Sequence, residues 1–328
     1  MKDRKSAIPG KPFPAHPTRR EVDLPGCRPL ATGDDDDAPG LVRQIMANPN
    51  YRLADADADF LDRDVMRGAR LQLDYQKAET LLRDHGIAHS IVVFGGTRVT
   101  EPERAAATLA ALEAESACHP EDADLQRRLR VARRLNDKSR YYDIAREFGR
   151  IVGAAEGEHG NRLAIVTGGG PGIMEAANRG AVEAGARTVG LNITLPREQL
   201  PNPYVTPDLC FRFRYFALRK LHFLLRARAL VVFPGGFGTF DELFETLTLI
   251  QTRKIQPVPV ILVGRDYWAR AFDADFLVEE GVIDPEDRAL FWYAETAQEI
   301  WEDIQRWYAR AGRPLIGTPT HMEGGAMP

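Results

Sequence analysis

The stretch Leu163-Ala-Ile-Val-Thr-Gly-Gly-Gly-Pro-Gly172 joins a short apolar segment directly to a loop made almost entirely of glycine. Apolar residues at helical spacing follow over residues 173–184. The same arrangement returns over residues 229–251, where Ala-Leu-Val-Val-Phe leads into Pro234-Gly-Gly-Phe-Gly-Thr239 and then into a second helical pattern. Strands that alternate with helices are typical of a parallel sheet, so both stretches are predicted to be strand–loop–helix units.

Three further strands are predicted around these two units, at residues 89–94, 186–193 and 258–263. Helical patterns separate them, including one at 216–227 and others that fill most of 266–312. The expected fold class is therefore α/β, with a parallel sheet that carries helices on both faces.

The chain divides by composition into four parts. Residues 1–40 are rich in Pro, Gly and charge and are predicted to form a flexible arm. Apolar residues at helical intervals predict a helical extension over residues 41–87. Residues 88–315 contain every predicted strand and form the expected α/β domain, and residues 316–328 form a loose tail. Within that domain, residues 101–150 are predicted to hold two long charged helices broken near His119.

Composition excludes several classes of protein. The 328 residues include 43 Lys plus Arg and 47 Asp plus Glu, so the net charge of −4 argues against a nucleic-acid or anionic-lipid binder. The 3 cysteines are too few for a disulfide framework and too scattered for a zinc site. No apolar run approaches the ~20 residues of a membrane span, and the first residues do not resemble a secretory signal. A cytoplasmic protein without a metal is expected.

The glycine-rich loops favour an anionic ligand. Ligands of open parallel sheets bind at the carboxyl ends of the strands, where helix N-termini present free N–H groups and partial positive charge. Arg98 follows the strand at 89–94 and Gly95-Gly96, and is a candidate second phosphate ligand. The alternative is that the two glycine-rich loops are only tight turns between strand and helix and bind no ligand. Neither loop fits the dinucleotide fingerprint or the P-loop.

Charged residues flank the second loop. Asp241 and Glu242 lie just inside the helix that follows it, and Arg219-Lys220 lie on a preceding helix that is otherwise apolar. Unpaired buried charge is costly, so the basic pair must reach an edge or a partner. Together these residues offer a cation for a phosphate and a carboxylate for acid–base or cation-stabilising chemistry.

Three segments resemble the Lonely-Guy family: Gly168-Gly-Gly-Pro-Gly-Ile-Met-Glu-Ala-Ala-Asn178, Arg219-Lys220 and Pro234-Gly-Gly-Phe-Gly-Thr-Phe-Asp-Glu242. The family's members are cytokinin riboside 5′-monophosphate phosphoribohydrolases, often mislabelled lysine decarboxylases. The resemblance covers about residues 88–310, and the long arm and the helical insertion are similar to the longer bacterial branch. It implies a Rossmann-like fold, a homodimer or larger homo-oligomer, and no cofactor.

The resemblance also implies the reaction. Family members hydrolyse the N-glycosidic bond of adenine nucleoside 5′-monophosphates to free base and ribose 5-phosphate. The substrate here is expected to be AMP or a cytokinin riboside 5′-monophosphate, the latter placing the enzyme in cytokinin biosynthesis. A non-catalytic nucleotide or cofactor carrier on the same fold is the alternative. A decarboxylase is disfavoured, because it would need pyridoxal phosphate on a lysine and Lys220 belongs to the Arg-Lys motif.

The family's roles transfer to matching positions of this chain. Glu242 and Arg219 are the expected catalytic residues: a carboxylate near the anomeric carbon stabilises an oxocarbenium-like state and activates water, as in glycoside hydrolysis. Loop N–H groups of Gly169, Gly170, Gly236 and Gly238 are expected to hold the phosphate. The full set of expected substrate-binding residues is Lys220, Gly169, Gly170, Gly172, Met174, Glu198, Gly235, Gly236, Phe237, Gly238, Thr239, Asp241, Thr248 and Arg98.

Overall fold

A computed structural model describes residue 18 and residues 37–158, 163–195 and 200–316. The chain forms two compact units, Met1–Ala69 and Arg70–Pro328. The described part of the first unit contains helices α1 (Ala38–Ala47) and α2 (Ala58–Leu61) and the start of α3 (Arg67–Asp84). The predicted arm and tail fall almost wholly outside the described residues, and their boundaries remain predictions.

The described residues of the second unit form seven strands and the helices between them. The strands are β1 (His89–Phe94), β2 (Leu163–Thr167), β3 (Thr188–Ile193), β4 (Cys210–Phe213), β5 (Ala227–Val232), β6 (Val260–Val263) and β7 (Trp292–Ala294). The helices are α4 (Pro102–Cys118), α5 (Ala123–Lys138), α6 (Arg140–Glu158), α7 (Ile173–Glu183), α8 (Phe216–Leu225), α9 (Phe237–Gln251), α10 (Arg265–Ala271), α11 (Ala274–Glu279) and α12 (Ala297–Arg310).

All neighbouring strands pair in parallel, in the order β4-β3-β2-β1-β5-β6-β7. The chain runs outward from β1 to β4 on one side and then crosses to β5 on the other side of β1. The order therefore reverses between β1 and β5, and Phe94 pairs with Val232 at the carboxyl end of that pair. In open α/β sheets this reversal point is where ligands bind. The α/β fold class is confirmed.

Apolar cores on both faces of the sheet hold the helices in place. Along β1, Ile91 and Val93 pack into one core while Val92 and Phe94 pack into the other. The first core includes residues of α6, α7 and α12, and the second includes residues of α3, α8, α9 and α10. Every residue of β1 and β2 is buried, which explains why continuous apolar runs rather than alternating ones mark these strands.

The structure corrects several predicted elements. The extension is not one continuous helical stretch, because turns separate α1, α2 and α3. The break near His119 is confirmed, but a third helix, α6, follows α5. Strands β4 and β7 were not predicted. β4 is an edge strand with an exposed Arg212, and β7 has only 3 residues, so neither carries a continuous apolar run.

The remaining boundary differences are small. α8 ends at Leu225, and β5 begins at Ala227 rather than at 229. β3 begins at Thr188 and β6 at Val260, each two residues later than predicted. Among the described helices, none is both long enough and apolar enough to cross a membrane.

Candidate active site

Three loops meet at the carboxyl edge of the sheet where the strand order reverses. The N–H of Gly96, after β1, donates to the carbonyl of Pro234, after β5, at 2.9 Å. The N–H of Ile173, which begins α7, donates to the carbonyl of Gly96 at 3.3 Å. Gly172 has φ of 75°, and a Cβ there would collide with the Gly96 carbonyl oxygen. Glycine is therefore required at this crossing by both conformation and space.

A buried polar network holds the loop after β2. The N–H of Gly169 donates to Thr167 Oγ1 at 2.9 Å, and that hydroxyl donates to Asn178 Oδ1 at 2.8 Å. Asn202 Nδ2 donates to the Gly170 carbonyl at 2.9 Å and to Asn178 Oδ1 at 3.0 Å. Asn178 and Asn202 were not predicted to contribute to the site, although Asn178 ends the glycine-rich motif that begins at Gly168. The predicted phosphate donor Gly169 already has a partner inside the protein.

The loop after β5 is arranged differently. It leads into α9, and among the described residues no side chain caps that helix N-terminus and no acid lies in its first turn. A Cβ on Gly236 or Gly238 would meet nothing within 4 Å. Phe237 between them is 96% exposed. The first N–H groups of α9 have no partner within the helix, and no side chain of the described residues caps them.

Gly235 and Thr239 anchor this second loop. Tyr267, on α10, donates its hydroxyl hydrogen to the Gly235 carbonyl at 2.5 Å. The side chain of Thr239 is buried and packs directly against Gly235, where a Cβ would collide with Thr239 Oγ1. The loop backbone is thus fixed at Gly235 and open at the next residues.

Arg219 and Glu242 face each other beside these loops. Arg219 Nη2 lies 3.6 Å from Glu242 Oε1, and the two side chains are only 15% and 5% exposed. Arg219 Nη1 also lies 3.9 Å from the position that a Cβ on Gly168 would take, which brings the first loop to the same place. The structure therefore places the two predicted catalytic residues together, close to the reversal point of the sheet.

The guanidinium of Arg219 is held by aromatic rings of its own helix. It lies 5.0 Å from the ring centroid of Phe216 and 5.5 Å from that of Phe223. The three residues are spaced i, i+3 and i+7, so they share one face of α8. Cation–π contacts of this kind hold a guanidinium in place while leaving its N–H edge available for hydrogen bonds.

Burial dominates the electrostatics of the pair. It raises the pKa of Glu242 to about 7, although the positive charges of Arg219 and Lys220 oppose the shift. Burial also lowers the pKa of Arg219. Glu242 Oε1 and Arg219 Nε are both buried without a hydrogen-bond partner in the described part of the chain. Buried polar atoms left open in this way are typical of sites that bind a ligand.

Lys220 lines a second groove next to α9, which we call the outer groove. Its Nζ lies 2.8 Å from Asp241 Oδ1 and 3.1 Å from Glu245 Oε2. The groove has a volume of about 410 Å³. Its lining residues are Lys220, Phe237, Phe240, Asp241, Phe244, Glu245, Thr248 and Leu249.

The other predicted site residues are placed as follows. Met174 Sδ lies beside Gly168, 3.1 Å from the position of an added Cβ. Thr248 is exposed in the outer groove and not beside Glu242, and its hydroxyl donates to the Phe244 carbonyl at 2.7 Å. Arg98 is exposed beyond the end of β1. Glu198 lies outside the described residues. Within the described ranges, no group of His, Cys, Asp and Glu could hold a metal ion.

A family model described as "Possible lysine decarboxylase" matches residues 174–304. A cytokinin riboside 5′-monophosphate phosphoribohydrolase of Arabidopsis thaliana is 27% identical over 175 residues, which are 52% of this chain and 77% of that protein. A pyrimidine/purine nucleotide 5′-monophosphate nucleosidase of Escherichia coli K12 is 33% identical over 138 residues, 38% of this chain and 28% of that protein. The resemblance to the Lonely-Guy family is confirmed.

The match to this family model covers only part of the candidate site. It contains Arg219, Glu242 and the whole loop after β5, but it begins at residue 174, after the glycines that follow β2. Among solved structures, a molybdenum cofactor carrier protein of Chlamydomonas reinhardtii is 18% identical with a TM-score of 0.38, covering 68% of this chain and 98% of that one.

Proposed function

We propose that this protein is an N-glycosyl hydrolase that cleaves adenine-type nucleoside 5′-monophosphates into free base and ribose 5-phosphate. The observation that carries the proposal is the buried Arg219–Glu242 pair, 3.6 Å apart, beside an uncapped helix N-terminus. Support comes from relatives named as phosphoribohydrolases and as a nucleotide 5′-monophosphate nucleosidase.

The N-terminus of α9 supplies the phosphate site in this proposal. Its first N–H groups and its partial positive charge favour an anion, and no acid in the first turn competes. The open space at Gly236 and Gly238 lets phosphate oxygens approach the backbone closely. Binding the phosphate there positions the sugar over the catalytic pair, so that remote binding energy assists cleavage of the glycosidic bond.

Glu242 performs the chemistry at the anomeric carbon. Its ionised carboxylate stabilises the positive charge that develops on the ribose ring and accepts a proton from the attacking water. A pKa of about 7 suits a general base at neutral pH, because the group is substantially ionised yet basic enough to take a proton. Arg219 orients this carboxylate, since its guanidinium is fixed by two aromatic rings.

The state of Lys220 disfavours decarboxylation. A lysine that forms a Schiff base needs a lowered pKa so that its amine is neutral. Partial burial of Lys220 acts in that direction, but hydrogen bonds to Asp241 and Glu245 outweigh it and raise the pKa. The ammonium is therefore held charged by two carboxylates.

We propose a cytoplasmic homodimer, with residues 88–315 as the catalytic domain and a second copy covering the outer groove. Large apolar side chains on α8 and α9 are exposed, and two of them, Phe237 and Phe244, line this groove; the other three are Phe216, Leu221 and Leu225. Cytokinin riboside monophosphates and AMP are both proposed substrates, and light scattering of the purified protein tests the dimer.

Product analysis tests the reaction. Purified protein is incubated with AMP, N6-prenylated AMP and other nucleoside monophosphates, and free base is measured by chromatography. The matched controls are the same nucleosides without phosphate, for which we expect at least about a hundredfold lower kcat/KM because the phosphate anchor is missing. Release of no base from any monophosphate contradicts the hydrolase proposal. Tight binding without cleavage identifies the carrier instead.

A further inference from the structure

Helix α3 contacts the start of the helix that carries Arg219. The carboxylate of Asp74, on α3, accepts hydrogen bonds from the backbone N–H groups of Arg214 at 2.9 Å and Tyr215 at 3.0 Å. Tyr215 is the residue that precedes α8, and its own side chain does not cap the helix. Arg70, also on α3, donates to the Tyr215 hydroxyl at 3.1 Å. The acid that this helix N-terminus lacks in its own sequence is therefore supplied from α3.

The same helix contacts α8 at two further levels. The rings of Tyr75 and His222 are stacked, with centroids 5.2 Å apart and planes at 29°. At the other end, Glu79 makes a two-pronged ion pair with Arg226, the residue that follows α8, at 2.8 and 2.9 Å. Glu79 is 6% exposed. Asp74, Tyr75 and Glu79 of α3 thus contact the beginning, the middle and the end of α8.

The Glu79–Arg226 pair is well satisfied in spite of its burial. Burial alone would raise the pKa of Glu79, but the hydrogen bonds and charge of Arg226 and Arg83 lower it. Arg226 also donates to the carbonyl of Ile87 at 3.1 Å. A buried ion pair with this many partners is costly to break from either side, so it fixes the position of the helix end.

Asp74 binds the backbone N–H of Tyr215, which is one helical turn before Arg219. The Tyr215 carbonyl accepts the backbone N–H of Arg219 at 3.2 Å, while the Tyr215 N–H is bound by Asp74. A displacement of this turn moves the Arg219 guanidinium relative to Glu242, which it reaches across only 3.6 Å. Misplacement of a catalytic group by about 1 Å is enough to cost up to a hundredfold in rate.

We propose that α3 is a brace that sets the position of Arg219 against Glu242, and that Asp74 is a positioning residue for the reaction. The proposal rests on the proposed function for its kinetic consequence. It gives the end of the helical extension a role in catalysis, although the Asp74 carboxylate contacts only the backbone that leads into α8.

The test compares Asp74→Ala, Asp74→Asn and Asp84→Asn. Asp84 is an exposed acid at the end of the same helix and serves as the matched control. We expect Asp74→Ala to lower kcat for AMP about tenfold with KM within about twofold. Asp74→Asn keeps an oxygen acceptor and is expected to recover most of the rate. Asp84→Asn is expected to match the unmodified protein.

The pH profile of kcat separates positioning from partial unfolding. The charge of Arg219 lowers the pKa of Glu242, so its displacement should move the acidic limb of Asp74→Ala to higher pH, by about half a unit or more. Partial unfolding would lower the fraction of active protein and therefore the rate, but it would not shift the acidic limb. A profile that superimposes on that of the unmodified protein overturns the proposal.

Hydrogen exchange distinguishes failure of the brace from failure of the proposed function. Amides of residues 216–225 should exchange faster in Asp74→Ala than in Asp84→Asn, while those of β6 remain unchanged. If the unmodified protein cleaves no nucleotide but this local change is seen, the proposed reaction is wrong and the brace stands. Unchanged exchange in α8 overturns the brace whatever the activity.

Discussion

The two glycine-rich loops look alike in sequence and differ in what surrounds their glycines. After β2, Gly169 and Gly172 have positive φ, and an added Cβ would press on Asn192 or collide with the Gly96 carbonyl. After β5, Gly236 and Gly238 have ordinary φ, and an added Cβ would meet nothing within 4 Å. The protein itself thus requires glycine in the first loop but not at these two positions of the second.

The helices that follow the two loops differ in the same sense. Helix α7 carries Glu175 in its first turn, and that carboxylate accepts the Tyr142 hydroxyl at 3.1 Å. Helix α9 has no acid in its first turn. An acid in the first turn offsets the positive charge of the helix N-terminus and so disfavours an anionic ligand there. A glycine-rich loop can therefore serve either close packing or access for a ligand, and the surroundings of its Cβ positions distinguish the two roles.

The largest expected effect concerns the acid that follows the second loop. Glu242→Gln should lower kcat for AMP by about a thousandfold, because the amide neither stabilises positive charge nor accepts the proton. AMP binding, measured by equilibrium dialysis, should stay within about threefold because the phosphate site is untouched. Glu279→Gln, an exposed change on α11, is the control. Near-full turnover by Glu242→Gln would remove this residue from the mechanism.

The structural role of the first loop predicts a stability effect there. Gly172→Ala should lower the free energy of unfolding by about 3 kcal/mol, because it adds positive-φ strain to a backbone collision. Gly185→Ala isolates the strain, since Gly185 has φ of 81° with open space around it, and should cost about 1 kcal/mol. Urea unfolding measures both. Equal losses would mean that the crossing at Gly172 is not tight.

The second loop predicts the opposite behaviour. Gly238→Ala should raise KM for AMP about tenfold, equivalent to about 1.4 kcal/mol, because the methyl group would stand in the phosphate site that we propose at this loop. Its unfolding midpoint should be unchanged or slightly higher, since alanine favours a helix. A loss of stability without a change in KM would reverse the comparison between the loops.

The pKa of Glu242 predicts a moderate pH dependence. The carboxylate is the active form, and kcat/KM reports the ionisation of the ligand-free enzyme, so kcat/KM for AMP should rise as pH rises through about 7 and level off above it. With one ionisation at that value, the gain between pH 6 and 8 is about tenfold. Steady-state rates in buffers of constant ionic strength measure it, with circular dichroism confirming that the fold persists. A flat profile over this range contradicts a raised pKa.

Much of the sheet could be predicted because its central strands are buried on both faces. The apolar runs of β1 and β2 end directly in glycines, and their bounds agree with the structure. The edge strands β4 and β7 lack this signal, because one is half exposed and the other is very short. The pattern of apolar residues and the turn residues at its ends therefore locate a strand well only where all residues of the strand are buried.

The site was predicted as a set of residues but not as an arrangement. The motifs predicted that Arg219 and Glu242 lie on two helices next to the same loop. Their burial, which raises the pKa of Glu242, arises only from the packing of the folded protein. Asp74 contacts a backbone 140 residues away, and Asn202 reaches back to Gly170 across the sheet edge. No local pattern marks such partners, since a single polar residue on a helix or loop is usually solvated.

The open oxygen of Glu242 has a thermodynamic consequence. Near neutral pH this carboxyl is about half protonated, and a phosphate dianion arriving nearby disfavours its ionised form. Nucleotide binding is therefore coupled to proton uptake from the buffer. In titration calorimetry the apparent binding enthalpy will change with the ionisation heat of the buffer, and that dependence will vanish in Glu242→Gln. The affinity of the enzyme for its substrate therefore depends on pH near neutrality.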